Sequence, residues 1–315
     1  MNSNDNQQQP DPVSHGDNLV GSQPASAHGV SDKLSARAPV FSDGMFRRQL
    51  ILDSLIRGLF LSFLIVVLFI AATLDKGDSI WWLMPLIIAM LAWLSLNNIS
   101  ARTSRLLPHL TMMVESDPEA AESQLAYHLR YRPLLRWLRL LLYHRLAMLR
   151  HRQGRYDEVA AICSAILNQP LGPAGHSRPN LLLLFTESCL QRGDLHGAYA
   201  GLIQLYWTPM NLIEALQRLA LQTRYEVMAG HYHVAIQRIW QKVQMAEIMP
   251  PVQCGIVHAM LATAASGANE KELARWLWQR VNLLCTARQI EELKTTGFAA
   301  GPIAIATGMQ AVNAP

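Results

Sequence analysis

GLFLSFLIVVLFIAATL (Gly58–Leu74), DKGDS (Asp75–Ser79) and IWWLMPLIIAMLAWLSL (Ile80–Leu96) follow one another without a break. Each apolar block is 17 residues long and carries no charge. As a helix such a block is about 26 Å long. Extending the first back over Leu55–Arg57 and the second on to Ile99 brings both to about 30 Å, the thickness of a bilayer core. The first block holds twelve Leu, Ile, Val or Phe. Its insertion gains on the order of 5 kcal/mol. The second has eight such residues, three Trp and Pro85, so its gain is smaller. A buried hairpin in a soluble core is the competing explanation, but uncharged runs of this length are rare there. The sequence therefore predicts a two-span transmembrane helical hairpin over residues 46–99, with spans at about 55–74 and 80–99.

The flanks orient that hairpin. Arg47, Arg48 and Arg57 precede it, Arg102 and Arg105 follow it, and the short connection has one Lys against two Asp. The positive-inside rule then places both termini in the cytoplasm in a multi-pass membrane protein. Trp81 and Trp82 fall at the outer interface, and Asp53 and Arg57 are spaced to pair on one helix face. Residues 1–45 are polar, as in NSNDNQQQPDP, and predict a disordered tail. No basic segment leading into an apolar core opens the chain, so the first span reads as an uncleaved anchor.

Beyond the hairpin every pattern is helical. Residues 100–133 read as a juxtamembrane linker. Within it Ser116-Asp117-Pro118-Glu119 starts a helix running to about Tyr131, because a capping side chain, a first-turn Pro and an acid coincide. Leu134, Leu138, Leu141, Leu142, Leu146 and Leu149 then share one helix face. No alternating β-branched run is present, so the fold class is all-α. Between 134 and 292, four segments pair two helices around Gly154, Gly193, Gly230 and Gly267, which lie 39, 37 and 37 residues apart. Periods of this size indicate an α-solenoid. Residues 293–315 lack a helical stripe and predict a loose tail. Cys163, Cys189, Cys254 and Cys285 form no C-x-x-C pair, which fits buried thiols in a reducing compartment.

The repeated segment resembles the tetratricopeptide-repeat (TPR) family over about Leu134–Cys285. Its second helix opens Gly154-Arg155-Tyr156 with Val159, Gly193-Asp194-Leu195 with Ala198, and Gly230-His231-Tyr232 with Ala235, and Ala147 takes the small position of the first helix. The fourth segment departs, with Ala274 seven rather than five residues after Gly267, and Thr186, Thr223 and Met260 stand where the family has a small residue. The resemblance implies a concave groove that binds other proteins. It implies contact positions at His144, Met148 and His151, at Asn180 and Glu187, and at Gln217 and Arg224.

Little points to catalysis. The pairs His231/His233 and His144/His151 lack the three or four convergent ligands a zinc site needs, so no metal or cofactor is expected. No phosphate-cradling glycine loop or nucleophile motif occurs. Between Ala101 and Arg155 stand ten Arg and no Lys against four acids. Of these, Arg130, Arg132, Arg136 and Arg139 are candidates for anionic lipid headgroups, each worth about 1 kcal/mol near the surface. Tethering beside a bilayer argues against nucleic acid. The expected function is a non-enzymatic, membrane-anchored scaffold for protein partners, of the kind found in secretion or polysaccharide-export assemblies. Two alternatives are an accessory subunit of a multi-span transporter or channel and a helical membrane-bound enzyme with a His/Glu site. The uncharged spans argue against the first of these.

Overall fold

The computed structural model describes residues 41–73, 83–131 and 135–295, and among these every regular element is helical. The polar tail, the Asp75–Ser79 connection with Trp81 and Trp82, Arg132 and Pro133, and residues 296–315 lie outside the described residues.

Helix α1 (Asp43–Thr73) is continuous through the first apolar block. Of the described helices it alone is long and apolar enough to cross a membrane, over Asp43–Ile70. Helix α2 (Leu83–Ser116) contains the rest of the second block and runs on without interruption past Pro108. The two helices pack together, with Phe60 stacked on Trp93 at 5.7 Å. From Leu55 to Ile70 only Val67 of α1 is buried, and Leu59 and Phe69 are 65% and 70% exposed.

The base of this pair has the opposite character. Phe46, Leu50, Leu110 and Val114 are buried and belong to one core with helices α3 (Pro118–Tyr131), α4 (Arg136–Arg152) and α5 (Tyr156–Leu167). Phe46 meets the Tyr143 ring edge-on at 4.8 Å. Burying such a ring contributes about 1.5–3 kcal/mol. Residues 100–116 are thus not a separate linker but the lower half of α2, held in the domain core. Asp117 caps α3 as expected, accepting from the Ala120 N–H at 3.1 Å. Asp53, spaced to pair with Arg57 along its own helix, also turns inward to Arg139 on α4, because α4 covers that face of α1.

Four helical pairs follow. They are α4 with α5; α6 (Arg178–Gln191) with α7 (Leu195–Tyr206); α8 (Leu212–Met228) with α9 (Tyr232–Ile236) and α10 (Ile239–Ala246); and α11 (Pro251–Gly267) with α12 (Lys271–Leu284). Their inner turns share one geometry. Gly154, Gly193, Gly230 and Asn269 hold φ of 72°, 75°, 72° and 66°. The next residue donates its N–H to the carbonyl five positions back: Arg155 to Arg150, Asp194 to Cys189, His231 to Glu226 and Glu270 to Ala265. This is the Schellman closure, which needs a left-handed residue and therefore favours Gly or Asn.

The fourth turn corrects the sequence reading. Gly267 ends α11 and does not make the turn. A side chain there would meet the Tyr232 ring at 2.5 Å, so the glycine clears a path for that ring. With Asn269 as reference, Ala274 stands five residues on and Ala262 seven back, so the fourth segment's departures disappear while Thr186 and Thr223 remain. The five-on positions Val159, Ala198, Ala235 and Ala274 are all buried, as are the seven-back positions Ala147, Thr186, Thr223 and Ala262. The two threonines satisfy their hydroxyls on the Leu182 and Leu219 carbonyls of their own helices. Gly201 lies against Thr186, where a Cβ would come within 2.3 Å of Oγ1.

The third pair is irregular. Its second helix breaks at Arg238, which holds φ 52°. Lys242 covers the break, donating to the Ala235 carbonyl at 2.8 Å and to Glu226 Oε2 at 2.9 Å. At the far end α13 (Ala287–Thr295) places Ile290 and Leu293 against Val281 and Cys285.

Candidate functional site

The residues singled out for a partner groove lie on α4, α6 and α8, and most are covered. His144, His151, Glu187, Gln217 and Arg224 are buried, and only Met148 and Asn180 are partly exposed. The physical reason is the stacking of first helices: α6 packs on both α4 and α8, and α8 also packs on α11. The structure does bring three of them together. His151 Nε2 lies 3.6 Å from Glu187 Oε2, and Arg224 feels the charge of Glu187.

Burial sets the protonation of this seam. His151 is held down to about 4, first by burial and then by Arg152 and Arg224. The Glu187 carboxylate nearby would pull the other way, but desolvation dominates at a site this enclosed, so the ring is neutral near pH 7. Arg224 is itself lowered by burial and raised by Glu187. His144 is held down to about 3 by burial, with Arg145 and His176 adding to the effect. The cluster is an internal polar tie between α4, α6 and α8. Neither of the two cavities described in this structure is lined by it.

The arginine-rich stretch divides in the same way. Arg139 is buried and bonded to Asp53 through two nitrogens, one contact being Nη2 to Oδ1 at 3.0 Å. It also donates to Gln49 Oε1 at 3.1 Å and to the Leu129 carbonyl at 3.0 Å. Arg139 therefore holds α1 to α4 and does not face lipid headgroups. Arg150 is buried between Glu122 of α3 and Glu158 of α5, each 3.1 Å away. Arg136 remains half-buried, donating to Gln169 Oε1 at 2.8 Å. Arg130 lies near the end of α3, and Arg132 lies outside the described residues. Arg47 and Arg48 are exposed on α1 beside the buried Phe46, and Arg102 and Arg105 are exposed on α2.

A surface that the groove argument missed lies on α7. Tyr199, Ile203 and Tyr206 are exposed along one face, followed by Trp207 at 86% and then Leu212 and Ile213. Arg218 sits 4.6 Å over the Tyr206 ring, and Tyr199 stacks on Tyr225. The signal was present in GAYAGLIQLYW: while Ala198, Leu202 and Leu205 form the buried stripe, the intervening large residues form a second one. A helix apolar on two faces needs two partners.

The four thiols are buried and free, and burial raises each of them; Cys189 is pushed up to about 11. Among the described residues no group of three His, Cys, Asp or Glu is placed to hold a metal ion. Compared with protein-family models, with curated proteins and with solved structures, the chain matches none.

Proposed function

We propose that this chain is a membrane-anchored scaffold in which a TPR-like helical-repeat domain is held against the cytoplasmic leaflet and recruits protein partners. The observation that carries the proposal is the change of surroundings within α1. The helix enters the domain core through Phe46, Leu50 and Asp53 and then exposes nearly all of its apolar side chains from Leu55 to Ile70. An exposed apolar surface of that extent is unstable in water and stable in lipid. α2 supports a second span, since Ile87, Ile88, Leu91 and Leu94 are likewise exposed. The exposed Arg47, Arg48, Arg102 and Arg105 favour a cytoplasmic base and cytoplasmic termini.

The repeat reading draws support from the four Schellman turns and from the buried small residues at the same two offsets in each pair. The partner surface then moves from the polar residues of the first helices to the aromatic face of α7. Interfaces enriched in Tyr and Trp have this composition. A photo-crosslinking residue placed at Tyr199 or Trp207 in cells is expected to give discrete adducts with other proteins. One placed at Met148 or Asn180 is expected to give fewer. Adducts confined to Met148 and Asn180 would return the partner to the groove, and adducts at none of the four would count against a recruiting role.

A further inference from the structure

Where α1 leaves the core, a cleft of about 520 Å³ opens between α1, the start of α4 and Gln169. Its α1 wall includes Arg47, Ile51, Ser54 and Leu55, and Arg136 faces them from α4. We infer that this cleft binds the phosphodiester of an anionic phospholipid, held between Arg136 and Arg47 with an acyl chain along Ile51 and Leu55. The inference rests on the proposal that α1 enters a bilayer.

Its position follows from the packing. Asp53 pairs with Arg139 and Gln49 accepts from Tyr143, so α4 runs antiparallel to α1. Arg136 therefore lies about one turn beyond the Asp53–Arg139 pair, toward the exposed apolar run. That is the depth at which a lipid phosphate meets hydrocarbon. Arg136 lines the cleft half-buried, and its Nη2 is oriented by the bond to Gln169 Oε1. A guanidinium held at one nitrogen still has further N–H groups with which to meet a phosphate oxygen. Arg47 lies about 12 Å from Leu55 along α1 at 1.5 Å per residue. Its pairing with Asp43 at 2.9 Å is solvent-exposed on both sides. Exposed pairs are weak, so an anion competes for Arg47 readily. Ile51 is exposed and continuous with the apolar surface of the span, so the cleft is cationic and apolar together.

The test uses the full chain in nanodiscs of equal phosphatidylglycerol and phosphatidylcholine, with retained lipid identified by native mass spectrometry. One phosphatidylglycerol is expected to stay bound in preference to phosphatidylcholine. Arg47→Gln and Arg136→Gln are each expected to reduce that preference about fivefold. Arg48→Gln, at an exposed neighbour outside the cleft, is expected to leave it unchanged. Arg47 and Arg48 lie on the surface, so their variants report binding without disturbing the fold. Millimolar inorganic phosphate or glycerol phosphate is expected not to displace the lipid, whereas displacement would assign the site to a free phosphate. Equal retention of the two lipids, or an Arg48→Gln loss matching that of Arg47→Gln, would overturn the inference. A chain that fails to enter nanodiscs at all would instead overturn the membrane proposal.

Discussion

The two halves of α1 form one continuous helix with opposite surroundings: Asp43–Ser54 interleaves apolar residues with Arg47, Arg48 and Asp53, and Leu55–Ile70 carries Arg57 as its one charge. In Asp43–Ser54 the residues facing α4, Phe46, Leu50 and Asp53, are buried, the last at 5% exposure. In Leu55–Ile70 nearly every side chain is turned outward. Hydropathy alone does not separate a core from a lipid face, because both accept the same residues. The mark on the buried face is Asp53, a charge that is tolerated because Arg139 meets it inside the domain. A lone carboxylate in hydrocarbon would be expensive.

The largest effect should come from breaking that tie. Asp53→Leu leaves Arg139 buried and uncompensated, and is expected to cost about 3–5 kcal/mol of domain stability by denaturant unfolding in detergent. Adding Arg139→Leu should recover most of the loss. Leu59→Ala, in the other half of the same helix, should leave the domain's unfolding midpoint unchanged. If Asp53→Leu and Leu59→Ala behaved alike, the division of α1 would fail.

The next effect is acid sensitivity, expected only on the domain side. His144 and His151 are depressed to about 3 and about 4, and His258 is also lowered, chiefly by burial. The unfolded chain takes up these protons near pH 6.5 while the folded chain resists them. Stability is thus full above about pH 6.5 and falls as the pH drops toward 4. Between pH 7 and 5 the loss from His144 and His151 is on the order of 2–4 kcal/mol. Melting curves across that range should show it, and His144→Gln should flatten the slope. The apolar run from Gly58 to Ile70 has no titrating side chain, so the proposed membrane retention should not change over the same pH range.

Smaller effects test the four turns. Gly267→Ala drives a methyl into the Tyr232 ring and should cost about 1–3 kcal/mol, with Tyr232→Leu relieving it. Gly230→Ala meets nothing in space but keeps a positive φ, so the cost should be about 1–2 kcal/mol. Asn269→Gly should be neutral or slightly stabilising, measured in the same unfolding assay. A large loss there would mean that Asn269 serves something other than its backbone angle.

Much of this arrangement is legible in the sequence because it is local. The all-α class, the cap at Asp117 and the turns at Gly154, Gly193 and Gly230 follow from residues within a few positions of one another. The capping box Asn211/Glu214 is equally local. Gly267 misled because a glycine two residues before a turn looks like the turn itself, and its true neighbour, Tyr232, is 35 positions away. The residues expected to line a groove lie on α4, α6 and α8. Their burial depends on the adjacent first helix, which spacing within one segment does not report. The tie of Arg139 is hidden from the sequence for the same reason: Asp53 is 86 positions earlier. Only packing brings it within reach.

The central claim is that α1 passes from protein to lipid between Ser54 and Leu59. The most direct measurement attaches a bimane fluorophore to a cysteine at Phe63 or at Arg48, in a chain whose four native cysteines are replaced, reconstituted with acyl-brominated lipids. The account predicts strong quenching at position 63 and none at 48, with aqueous iodide giving the reverse. Iodide quenching at 63 without quenching by the brominated chains would contradict it.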